Sequence, residues 1–156
     1  MRGFTMVELL IVIALSFILV IASLPIYGQL QVRAQLEETS AQLVQALRVV
    51  RQNSLARYGG GPHGVFFDIN PSGQDRFILY RGDNYVSRDP NYDIVQTLDE
   101  ALIITNLDFS LDGGGIDINF SAGLGRPNNI GSFLLTHVVQ GERVISINSF
   151  GKIEYE

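Results

Sequence analysis

From residue 9 to residue 32 the chain carries no charged side chain, and residues 9–24 are almost wholly Leu, Ile, Val, Ala and Phe. A run of this kind satisfies its own backbone hydrogen bonds as a helix, and it is apolar all round. The core of one small domain cannot cover it, so some other surface has to. Roughly 20 apolar residues suffice for a transmembrane helix, and the run is expected to be one. The other reading is a secretory leader that is cut away. Against it, the apolar stretch exceeds the roughly 7–15 residues of such leaders. An acid, Glu8, precedes the run, and Pro25 and Tyr27 stand where small residues would be expected.

The helical pattern continues past the charge-free run. Val32, Leu36, Leu43, Leu47 and Val50 return on one face, with Gln, Glu and Arg on the other. This is the 3.6-residue period of an amphipathic helix. Residues 4–58 therefore predict one helix, about 80 Å long at about 1.5 Å per residue. Arg48, Arg51 and Arg57 suit the negative end of its dipole, and the GGGP of residues 59–62 ends it. Pro25 removes one backbone donor, and a kink or loosened turn is expected there.

After Gly61 the pattern changes to strands. GVFFDI (64–69) and RFILYR (76–81) flank an Asn70-Pro71-Ser72-Gly73 turn. Residues 82–100 are polar, contain Pro90 and predict an irregular loop. ALIITNLDFSL (101–111), IDINF (116–120), FLLTHVV (133–139), RVISIN (143–148) and KIEYE (152–156) complete the set. The expected fold class is α+β: a long N-terminal helix, transmembrane in its first half, packed on a mostly antiparallel sheet of six or seven strands. Its divisions are 1–3, a hydrophobic helix over 4–28, an amphipathic helix over 29–58 and a β-rich globular domain over 59–156.

Composition narrows the function. Residues 59–156 hold thirteen acids and six bases, which argues against nonspecific capture of nucleic acid. The absence of cysteine excludes disulfides and Cys-based metal sites. His63 and His137 lie far apart with no spaced ligand cluster around them, and ordinary structural roles account for both. His137 suits either an edge strand or a hydrogen-bonded interior position. The stretch Asp112, Gly113–Gly115, Asp117, Asn119 lacks the EF-hand spacing and reads as a hairpin turn. Gly59–Gly61 is followed by no Gly-Lys-Ser/Thr, so it is not a phosphate loop. No catalytic constellation is present; neither an enzyme nor a cofactor is expected. Tyr80, Tyr85, Tyr92 and Phe109 suit either a binding surface or a sheet core. The 82–100 loop, with Tyr85, Asp89 and Tyr92, is the place expected to contact a partner.

The opening Gly3-Phe4-Thr5-Met6-Val7-Glu8, followed by LLIVIALSFILVIA, resembles the class III leader and N-terminal helix of type IV pilins and type II secretion pseudopilins. The resemblance implies cleavage by a prepilin peptidase between Gly3 and Phe4, and N-methylation of Phe4. It places Glu8 at the acid that pairs, in an assembled filament, with a neighbouring subunit's terminal amine. Pro25 matches the helix-perturbing proline of many members. A helix ending near SLARYGGG, a sheet-rich domain and a terminal GKIEYE look like a GspH/FimT-type minor subunit. The implied function is structural: a secretion pseudopilus subunit, or alternatively a minor type IV pilin in pilus assembly, adhesion, motility or DNA uptake. The implied partners are the peptidase, other pilins or pseudopilins and the bacterial inner membrane, with the globular domain extracytoplasmic. Some FimT-like proteins bind DNA through a basic C-terminal region. Here Arg143 and Lys152 face Glu142, Glu154 and Glu156, so nucleic acid is not expected as a partner.

Overall fold

The computed structural model describes residues 4–70 and 73–156 and, within the N-terminal helix, the side chains of 6–21 and 27–55. Gly3, the Pro25 side chain and the Pro71-Ser72 tip of the expected turn lie outside the described residues.

Helical backbone, α1, runs Met6–Leu55. Its start is set by Thr5, an extended N-cap whose hydroxyl accepts from the Glu8 backbone N–H at 3.2 Å, while Glu8 Oε2 accepts from the Thr5 N–H at 2.9 Å. This reciprocal capping box satisfies two of the donors that a helix start leaves orphaned. Its side chains are described over a short first stretch, 6–21, and a longer one, 27–55, and the expected transmembrane character of the first half is not borne out. Among the described residues no helix is long and apolar enough to cross a membrane. The expectations of a transmembrane helix and of a single-pass protein of the inner membrane are corrected on that finding. The helical backbone also stops earlier than residue 58. Arg57 takes a left-handed conformation (φ 52°), and a short 3-10 turn, Tyr58–Gly60, follows.

The β region departs from the single sheet expected. Among the described residues it forms two antiparallel sheets. The first contains β1 (His63–Asp68), β2 (Arg76–Arg81), β3 (Ile94–Thr97), β5 (Leu111–Asp112) and β6 (Gly115–Phe120), in the order β3-β2-β1-β6-β5. The second contains β4 (Leu102–Asn106), β7 (Gly131–His137), β8 (Glu142–Ile147) and β9 (Ile153–Tyr155), in the order β4-β7-β8-β9. Two local expectations change with it. The loop over 82–100 contains strand β3, and the single strand expected over 101–111 is divided between the sheets. The division occurs where the Asn106 side chain accepts from Phe109 N–H and donates to Phe109 C=O, closing a turn. The Asp112–Gly115 connection is a two-residue hairpin whose Gly113 and Gly114 both have positive φ (59° and 89°). That is the primed-turn geometry that matches strand twist and favours glycine.

One core joins these layers. Leu36, Leu43, Leu47 and Val50 of α1 are buried with Val65, Phe67, Ile116 and Ile118 of the first sheet and Phe133, Leu135, Ile145 and Ile147 of the second. Burying one such side chain contributes about 1.5–3 kcal/mol. Arg51 ties the helix to the far loops, donating to Gly125 C=O at 3.2 Å and to Phe150 C=O at 3.0 Å. Ser54, fully buried, accepts from the His63 N–H at 2.8 Å and donates to Val50 C=O, locking the end of α1 to the start of β1.

Strand alternation builds a second, smaller cluster on the opposite face of the first sheet. Val65 and Phe67 of β1 point to the main core, whereas Phe66 joins Ile78, Tyr80 and the half-buried Tyr85. Both faces of β1 and β6 are therefore covered. All six residues of β6 are buried, including Asp117 and Asn119, where its alternating sequence predicts a polar, solvated face.

Candidate functional site

The N-terminal stretch exposes its apolar side chains in every direction. Phe4, Met6, Val7, Leu10, Phe17, Ile18, Leu19 and Ile21 are all exposed, with Met6 at 84% and Leu19 at 73%. Glu8 sits inside this surface. Thr5 donates to its Oε2 from both backbone N–H (2.9 Å) and hydroxyl (2.8 Å). Those bonds, the backbone one first, hold the carboxyl below its ordinary pKa and keep it ionised. Both fall on Oε2, and among the described residues Oε1 takes none. Ser16 turns its hydroxyl back onto Val12 C=O at 2.8 Å, so it presents no unpaired donor to whatever covers this face.

The three loop residues singled out in the sequence separate in space. Tyr85 turns inward. It stacks on Phe66 at 3.8 Å between ring centroids, and the Arg88 guanidinium covers its ring at 3.7 Å. Asp89 and Tyr92 converge instead on Arg81. The Arg81 guanidinium lies 3.6 Å over the Tyr92 ring and 3.6 Å from Asp89 Oδ2. Asp89 Oδ1 meanwhile accepts from Asn91 N–H and starts the short turn Pro90–Tyr92. Tyr85 is thus a packing residue that anchors the loop. Asp89 and Tyr92 belong to a half-buried guanidinium cluster.

No family model, curated protein or solved structure matches the chain.

Sequence reasoning missed a buried polar network beneath the loop. Tyr80 Oη donates to Asp117 Oδ1 at 2.6 Å and accepts from Asn119 Nδ2 at 3.2 Å. Tyr85 N–H donates to Asp117 Oδ2 at 3.1 Å, and Asn119 Nδ2 also reaches Gly82 C=O at 2.8 Å. Burial pushes the Asp117 carboxyl up, while the bonds from Tyr80 and Tyr85 oppose the shift. Burial, with the adjacent carboxylate, pushes the Tyr80 phenol far above its ordinary range, so Tyr80 stays the donor. Gly64 lies opposite Tyr80 in the β1–β2 register, and any Cβ there would collide with the phenol. The one available sequence signal was the polar side chains alternating in GIDINF, a pattern equally suited to a solvated face.

The remaining candidates take structural places. His137 is buried in β7, between β4 and β8 rather than at an edge. Its Nδ1 accepts from Val139 N–H at 3.1 Å and its Nε2 meets Gln35 Oε1 at 3.1 Å, which assigns the proton to Nε2. Phe109 belongs to the main core. Among the described residues no group of three or more His, Asp or Glu side chains could hold a metal ion.

Proposed function

We propose that this chain is a structural subunit of a pilin-type filament, in the role of a minor pseudopilin of a type II secretion system, released for assembly by a prepilin peptidase acting between Gly3 and Phe4. The observation that carries this is the all-round apolar, exposed helical surface over 6–21, headed by a single ionised carboxylate. A helix apolar on every side requires cover, and parallel copies of the same helix, staggered along a filament axis, supply it.

Glu8 then selects the register. A carboxylate enclosed among apolar helices is costly alone, and an opposite charge offsets part of that cost. Its two Thr5 bonds occupy Oε2, so Oε1 can accept from the terminal amine that cleavage creates on Phe4 of a neighbouring subunit. A subunit docked one turn away leaves the acid unpaired, which disfavours it. The two-sheet domain, fixed to the amphipathic stretch over 27–55, lies outside that helical core, where it meets neighbouring subunits or cargo.

The test is the mass of the N-terminal peptide of the protein isolated from its host, with and without the prepilin peptidase. The expected peptide begins at methylated Phe4 and is lost in the peptidase mutant. A peptide beginning at Met1 in both strains overturns the proposal.

A further inference from the structure

A cavity of about 490 Å3 opens between the C-terminal turns of α1 and the β2–β3 edge of the first sheet. This volume falls in the range of small-ligand sites, roughly 300–1,000 Å3. Val50, Leu79 and Ile94 contribute apolar wall, and Arg81 and Tyr92 contribute polar groups. His63 is 7% exposed, with Nδ1 shielded from the cavity, so its ring serves as wall.

Arg81 is held in place at this cavity. The Tyr92 ring lies 3.6 Å beneath its guanidinium, and Asp89 Oδ2 lies 3.6 Å away. Gly59, at φ 64°, leaves room for the guanidinium against the 3-10 turn; a Cβ there would fall 2.6 Å from Arg81 Nη1. One long contact to Asp89 uses little of a group with five N–H donors in a fixed fork. A planar carboxylate is the group that such a fork matches. The apolar walls call for a ring or a branched chain attached to it.

We propose that this cavity binds a carboxylate carried on a compact apolar body, with Arg81 receiving the carboxylate. The chemistry is shared by a free aryl-alkanoic acid and by the C-terminus of a peptide ending in an aromatic residue. The site does not depend on filament assembly, because every group belongs to the folded domain of a single chain.

The test uses the full chain in detergent micelles, titrated with 3-phenylpropionate while the backbone and imidazole NMR signals of His63 and Arg81 are followed. A saturable shift at both residues is expected. Arg81→Gln should weaken it about 10-fold, the scale of one lost hydrogen bond to a charged group. Asp89→Asn, which removes the competing carboxylate and keeps an acceptor for the Asn91 turn, should tighten it. A short peptide ending in a free Phe carboxylate forms the second arm. Tighter binding of the peptide assigns the site to chain termini, and tighter binding of the small acid assigns it to free metabolites; either supports the carboxylate site. Equal binding of 3-phenylpropionamide, shifts unchanged in Arg81→Gln, or no saturable shift from either acid overturns the proposal.

Discussion

Replacing Tyr80 by Phe removes one oxygen from a site that is 1% exposed and leaves the ring in place. The lost oxygen donates at 2.6 Å to Asp117 Oδ1 and accepts at 3.2 Å from Asn119 Nδ2. Asn119 Nδ2 retains Gly82 C=O at 2.8 Å, so its loss is small. Asp117 retains Tyr85 N–H but forfeits its shortest bond. A hydrogen bond to a charged group is worth about 1.5–3 kcal/mol, and a buried charge left short of donors costs toward the upper end. The expected destabilisation at pH 7 is therefore about 2–3 kcal/mol. For a chain of this size that is a fall in Tm of roughly 5–10 °C. The cost has a pH signature. Burial already raises the Asp117 pKa, and the Tyr80 bond opposes that rise, so Tyr80→Phe raises it further. A carboxyl whose folded pKa lies above its unfolded value of about 4 loses stability as pH rises through that interval. The penalty of Tyr80→Phe should accordingly be largest at pH 7 and shrink toward pH 4, as Asp117 takes up a proton. Urea unfolding of the full chain in detergent at the two pH values measures this. A cost below about 0.5 kcal/mol at pH 7, or the same cost at both, would refute the assignment of Tyr80 as the donor that stabilises a buried Asp117 carboxylate.

Three further outcomes follow from named contacts. Gly64→Ala should destabilise by about 1–3 kcal/mol, because the new methyl overlaps the Tyr80 phenol; a double-mutant cycle should show its cost reduced in the Tyr80→Phe background. Leu47→Ala, at the fully buried contact of α1 with both sheets, should cost about 2–5 kcal/mol in the same unfolding assay. Thr5→Ala should remove the capping box, so that the Glu8 carboxyl titrates nearer its ordinary range by NMR and the amides of the first helical turn exchange roughly five-fold faster.

Much of this molecule is local, and local features are legible in the chain. The 3.6-residue return of Leu36, Leu43, Leu47 and Val50 marks the buried face of α1, because helix hydrogen bonds never leave the segment. Gly113-Gly114 marks a hairpin because few residues other than glycine tolerate two successive positive φ angles. The Thr5-x-x-Glu8 capping box is equally local, although it came to light only in the structure. Its acid is explained by its own helix end before any neighbour is invoked. Sheet membership is a different matter. A strand alternates with period two whichever partner it pairs with, so nothing in the β4 and β5 sequences reveals that they belong to different sheets. The same ambiguity hid the interior. Asp117 and Asn119 occupy alternate positions of β6, as solvated residues would, and they are buried because the loop carrying Tyr85 folds back over that face. Arg81, Asp89 and Tyr92 likewise form a cluster only once strand β3 pairs with β2. The sequence by itself determined the helical register, the turns and the exposed apolar surface at the N-terminus. Only the tertiary structure decided the two-sheet division, the buried carboxylate and the guanidinium cavity, since each depends on contacts between residues far apart along the chain.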